Sequence, residues 1–110
     1  MDPIDQPNFS EAVERLWTRF LPQMLERVAI LETAAAACNA GNLSIEQRQT
    51  ANDAAHKLAG VLGTFDLPRG TILARELEGM YSREEGPDPT HASRLVEIVV
   101  ELRDLVENRK

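Results

Sequence analysis

The sequence predicts an all-α protein, an antiparallel four-helix bundle whose N-terminal helix is kinked or in two parts. Apolar residues recur at steps of three and four, and no stretch alternates with period two. Capping residues, prolines and glycines divide the chain into four such amphipathic stripes joined by short connections. Short connections between successive helices place neighbours antiparallel around one shared core. With 110 residues, the chain is long enough for one core and too short for two. Residues 1–7 are expected to be a polar tail and residues 8–110 the helical domain.

The first stripe runs through Phe9, Val13, Leu16, Phe20, Met24, Val28, Leu31, Ala35 and Cys38. Asn8 or Ser10 can cap its start, with Glu11 and Glu14 in the first turn. Pro22 lacks a backbone donor and presses on the carbonyl of Thr18, yet the apolar phase continues on both sides, which favours a kink over a loop. Asn39-Ala40-Gly41-Asn42 then reads as a helix end with a left-handed cap. The second helix opens at Ser44, with Gln47 in capping-box spacing, and its stripe is Ala51, Ala55, Leu58, Leu62 and Phe65, with Ala54 alongside. Pro68 suits the first turn of a third helix carrying Leu73, Leu77 and Met80. Asp88-Pro89 caps the last helix, whose stripe is Leu95, Val99, Leu102 and Val106 flanked by Ile98 and Leu105. The alanine run 34–37 lies within the first helix and suits close helix packing.

Composition narrows the function. The chain is 43% hydrophobic and 27% charged, as an ordinary globular protein is, and its net charge of −6 disfavours sequence-independent nucleic-acid binding. The lone Cys38 excludes an internal disulfide framework and a cysteine zinc site. No apolar run approaches a membrane span, and the acidic start Met1-Asp2-Pro3-Ile4-Asp5 lacks the features of a signal peptide. A cytoplasmic monomer with no membrane or nucleic-acid partner is expected. There is no glycine-rich phosphate loop, serine elbow or paired-histidine metal motif, and no metal site is expected.

His56 stands out by its place on the helical wheel. At about 100° per residue it points roughly 140° away from the stripe of Ala51, Ala55, Leu58, Leu62 and Phe65, so it faces solvent. Gly60 and Gly63 project on the same side, and Gln49, Asn52 and Asp53 share it one and two turns earlier. A glycine within a helix costs about 1 kcal/mol relative to alanine, so two beside one exposed histidine call for a reason. Missing side chains there let another protein approach the imidazole. The plainer reading is an ordinary surface histidine near a fraying helix end. His91 falls in the first turn of the last helix, where the macrodipole disfavours imidazolium, and reads as a surface residue.

Ala55-His56-Lys57-Leu58-Ala59-Gly60, followed by Gly63 and by Leu73 through Leu77-Glu78, resembles a histidine phosphotransfer domain of two-component phosphorelays. The resemblance implies a four-helix bundle with one exposed phosphoacceptor, here His56. It also implies response-regulator receiver domains and a hybrid sensor histidine kinase as partners. The expected function is a relay step, in which His56 accepts a phosphoryl group from a receiver aspartyl phosphate and passes it to another receiver aspartate. The chain has no ATP site and no kinase activity of its own is expected; it needs no cofactor, and magnesium belongs to the partner receiver. Gln49, Asn52, Asp53, Lys57, Ala59, Gly60 and Gly63 form the expected docking face. The family commonly has a lysine three residues after the histidine, where this chain has Ala59, which leaves Lys57 as the nearest cation in sequence. It also often has a glycine about ten residues on, where this chain has Asp66. Two alternatives stay open: a phosphoacceptor domain of a hybrid or chemotaxis-type histidine kinase, and a helical adaptor that never carries phosphate. A kinase domain beyond Lys110 would favour the first, and absence of label on His56 the second.

Overall fold

The computed structural model describes residues 5–109, with side chains from Ser10 onward. Its helices are α1 (Asp5–Asn39), α2 (Ile45–Thr64), α3 (Pro68–Tyr81) and α4 (Ala92–Glu107), with a 3₁₀ turn at Pro89–His91 leading into the last. Each helix packs on its chain neighbours and α4 closes the ring against α1. Cross-helix pairs show that α2 and α3 are antiparallel, as are α1 and α4, and the pairs Arg94–Glu76 and Arg69–Glu101 set α3 antiparallel to α4. Asn52 reaches Glu78 while Leu62 lies against Gly70, and Asn39 reaches Ala92 while Glu14 reaches Arg109.

α1 runs unbroken past Pro22, so the N-terminal segment is one helix of 35 residues. A single missing donor is tolerated because Trp17, Met24, Val28 and Leu31 bury the same face on both sides of it. The helix is already formed at Asp5, so Asp5, Gln6 and Pro7 belong to it and Asn8 and Ser10 are not its caps. Pro7 fits there because the first helical N–H groups have no intrahelical partner to lose. Residues 1–4 of the expected tail lie outside the described residues.

The termini of the other elements follow their local chemistry. At the end of α1, Asn42 N donates to Ala37 O at 2.9 Å and Gly41 N to Cys38 O at 3.1 Å, with Gly41 at φ +73°. That is the double bond of a Schellman cap. Ser44 and Gln47 exchange both bonds of a capping box, at 2.9 and 3.0 Å. Asp66 takes φ +58° in the turn between α2 and α3, a left-handed conformation that glycine adopts freely and aspartate tolerates. Asp88 receives the Thr90 N–H at 2.9 Å and so caps the 3₁₀ turn, which leaves exposed His91 at the N-cap of α4 instead of in its first turn.

The core unites the four stripes, with Met24, Val28, Leu31, Leu58, Leu62, Leu73, Leu77, Leu95, Ile98 and Leu102 fully buried. Leu16 is 45% exposed, against expectation, and Trp17 takes the buried place beside it. The reason is the aromatic closure of that end, where Trp17 meets Phe65 edge-on at 5.1 Å and Arg109 lies 4.6 Å above its ring. Tyr81 is also fully buried, a core position that the stripe of α3 did not include.

Candidate functional site

His56 lies in the middle of α2 with 68% of its side chain exposed, as the wheel requires. Its Nδ1 is 2.7 Å from Oε2 of Glu78 on α3. A carboxylate only accepts, so Nδ1 carries the hydrogen and the lone pair resides on Nε2. Among the described residues nothing hydrogen-bonds to Nε2. The ring is therefore oriented from one side and open on the other.

The α3 side of the ring is rigidly built. Asn52 Nδ2 donates to the Glu78 backbone carbonyl at 2.9 Å, and Arg48 Nη1 donates to the Tyr81 carbonyl at 2.9 Å. These two side chains pin the last turn of α3 to α2 and fix the backbone from which Glu78 reaches the imidazole. Asn52 is half-buried and spends its amide on this tie, so it is a support under the site more than a free docking residue.

The α1 side is an open groove. Phe20, Gln23 and Arg27 of α1 face His56, Gly60 and Thr64 of α2 across a depression of about 380 Å³, with Lys57 at its edge. A Cβ built on Gly60 meets nothing within 4 Å, so this glycine leaves real clearance beside the histidine. A Cβ on Gly63 would meet Thr71 Oγ1 of α3 at 3.7 Å, so Gly63 borders α3 and does not line the groove.

The remaining expected docking residues separate. Gln49 is exposed and free to meet a partner. Asp53 and Lys57 are exposed but pair with each other at 3.1 Å across one helical turn. Ala59 is only 2% exposed and belongs to the core, so it is no part of a surface. The cause is angular. Ala59 lies about 60° round the helix from His56, on the side where Arg48 and Asn52 reach α3, and α3 covers it. Among the described residues no group of three or more His, Cys, Asp or Glu side chains is placed to hold a metal ion. No helix among them is long and apolar enough to cross a membrane.

Sequence reasoning missed Glu78, Gln23 and Arg27. Glu78 stood inside the stretch that carried the resemblance, but nothing local says that a residue 22 positions downstream reaches the ring. Gln23 and Arg27 depend on the register of α1 against α2, which no motif encodes.

A four-helix bundle that holds one histidine half-fixed by a carboxylate, with its other nitrogen open to an approaching partner, is the architecture of a phosphoryl carrier. The chain belongs to the Hpt domain family, whose profile matches residues 15–110, and with it to the phosphotransfer modules of phosphorelays. It is 31% identical over 103 residues to Protein RcaC of Microchaete diplosiphon, covering 94% of this chain and 16% of that protein. The chain thus spans about a sixth of the length of this relative. No solved structure matches it.

Proposed function

We propose that His56 is the phosphoacceptor of a relay step between two receiver domains. The observation that carries this reading is the 2.7 Å contact of Nδ1 with Glu78, which leaves Nε2 as the exposed nucleophile. In the forward step Nε2 attacks the phosphorus of a receiver's aspartyl phosphate. The N–P bond forms as the bond from phosphorus to the carboxylate oxygen breaks, and the aspartate leaves with the electron pair. The product is a phosphoimidazolium whose Nδ1–H stays on the ring, where Glu78 accepts its hydrogen bond and offsets the new positive charge. Delivery to the second receiver reverses these bonds on another aspartate. Transfer of this kind depends mainly on in-line positioning and charge neutralisation, which a rigid bundle can supply.

The docking face in this reading is the exposed surface of α2 around Gln49, His56 and Gly60, with the Asp53–Lys57 pair at its border. Magnesium is assigned to the receiver, and the protein works as a cytoplasmic monomer. The test is incubation with a panel of phosphorylated receivers, scoring label on this chain. Acid-labile, base-stable label is expected, and His56→Gln abolishes it while helical content and melting temperature stay nearly unchanged. Label persisting on His56→Gln would move the acceptor elsewhere, with His91 as the other imidazole. Glu78→Gln keeps an acceptor for Nδ1–H but removes the charge, so a transfer rate lowered severalfold on a fully folded chain is expected.

A further inference from the structure

We propose that Arg27, on α1, is the cation that binds the phosphoryl group on His56, in the place of a lysine on α2. The inference rests on the reading of His56 as phosphoacceptor and concerns the same site. Nδ1 is held toward α3 by Glu78, so Nε2 and anything bonded to it project from the other side of the ring. That side is the groove whose opposite wall is Gln23 and Arg27. The groove is open where Gly60 contributes no side chain, and a Cβ there would have 4 Å of free space.

The other charged groups around the ring are poorly placed for the task. On α2, Lys57 Nζ is 3.1 Å from Asp53 Oδ2, so its charge is already matched by a carboxylate. On α3, Glu78 is an anion and repels phosphate, and Arg75, one turn before it and exposed, lies on the Nδ1 side of the ring and does not line the groove. Ala59 is buried, and any longer side chain there would have to leave the core to reach the ring. Arg27 is half-buried and makes no ion pair among the described residues. A half-buried guanidinium at the wall of a groove suits three-oxygen recognition better than a mobile ammonium. Gln23, one turn earlier on the same face, adds an uncharged amide donor to the same wall.

The experiment uses the whole chain phosphorylated chemically with phosphoramidate, followed by ³¹P NMR. Nε2 forms the N–P bond as the phosphorus–nitrogen bond of the reagent breaks and ammonia leaves. The phosphohistidine resonance is then titrated with pH. A guanidinium beside the phosphoryl group favours its dianion. Arg27→Gln is therefore expected to raise the titration midpoint by roughly half a pH unit, a shift that shrinks in high salt. Arg27→Lys should restore most of it. Arg15→Gln removes the same charge about 18 Å further along α1, beyond the screening length, and should leave the midpoint in place. Circular dichroism of each variant checks that the bundle is intact. An unmoved midpoint in folded Arg27→Gln, or an equal shift in Arg15→Gln, overturns the assignment while His56 remains the acceptor. Absence of any resonance that His56→Gln abolishes overturns the reading of His56 and this inference with it.

Discussion

The seam between α2 and α3 and the seam between α1 and α4 hold the bundle by different means. Under His56, the first seam is closed by Leu58, Leu62, Leu73 and Leu77, all fully buried, and by alanines that let the helices approach. Apart from the His56–Glu78 contact, its polar ties run from side chains to backbone carbonyls at the end of α3. The second seam is laced with side-chain charges. Arg103 grips both oxygens of Glu32 at 2.6 and 2.8 Å, and Arg109 reaches Glu14 at 3.0 Å while lying over Trp17. At the back of the molecule, charges are answered inside the chain. On the His56 face, Nε2 and the Arg27 guanidinium have no hydrogen-bond or ion-pair partner among the described residues. A carrier that must receive and release the same group needs such a division, because a site satisfied by its own side chains has no reason to bind a transient phosphoryl group.

The largest expected effect comes from breaking the apolar seam. Leu62→Ala removes a fully buried side chain between α2 and α3 and leaves a cavity, which should cost about 2–5 kcal/mol. Chemical denaturation measures it directly. If transfer to the folded fraction also falls, the seam positions His56 as well as holding the fold. An effect below 1 kcal/mol would mean that α3 can collapse onto the gap.

A smaller effect of opposite sign on the two faces sharpens the contrast. Both Gly60 and Gly70 lie within helices, and only one is buried. A Cβ on Gly70 would sit 2.8 Å from Leu62 Cδ1, with Leu105 Cδ1 at 3.8 Å closing the other side. Gly70→Ala should therefore lose about 1 kcal/mol, the overpacking outweighing the gain in helix propensity. Gly60→Leu meets open space and should be neutral or stabilising by up to about 1 kcal/mol. It should nevertheless slow transfer from a phosphorylated receiver, because the new side chain fills the clearance beside His56. Transfer at the original rate would sink the access argument for Gly60 and leave its absence of a side chain unexplained.

The sequence made some of this legible and hid the rest for definite reasons. Helix faces were readable because burial follows the 3.6-residue period, so Leu58, Leu62, Leu95 and Leu102 fell where their spacing put them. The capping box of Ser44 and Gln47 and the left-handed turn at Gly41 were readable because capping is local chemistry. His56 was found exposed for the same reason. What escaped depends on register between helices. Glu78 against His56, Arg27 across the groove and Leu16 giving way to Trp17 are set by how α1 and α3 slide along their neighbours. Ala59 was misplaced because it was named by its spacing from His56 in the resemblance, and spacing does not show that α3 covers that side of α2. Asp66 shows the converse, where the expected departure from glycine proves to be a left-handed residue that aspartate can occupy.

The smallest effect tests the charged seam, and its sign is fixed by the pKa of one carboxylate. The Arg103 guanidinium holds Glu32 below its ordinary value of 4.5, chiefly by hydrogen bonding, with partial burial opposing it and the Arg103 charge adding a smaller pull in the same direction. A carboxylate depressed in the folded state stabilises the fold fully above the unfolded value. That contribution fades as pH falls below about 4.5 through the folded value, since the unfolded chain then takes up the proton first. The Glu32 side chain is 36% exposed, so screening by water keeps the contribution to about 0.5 kcal/mol. Glu32→Gln should cost that much at pH 7. The gap from the unsubstituted chain should shrink toward pH 3, below the ordinary value of the carboxylate. Denaturation curves for both proteins at the two pH values decide the matter. A gap of the same size at both would assign the effect to packing between α1 and α4, and the back seam would then be held, like the front, by apolar contact and not by charge.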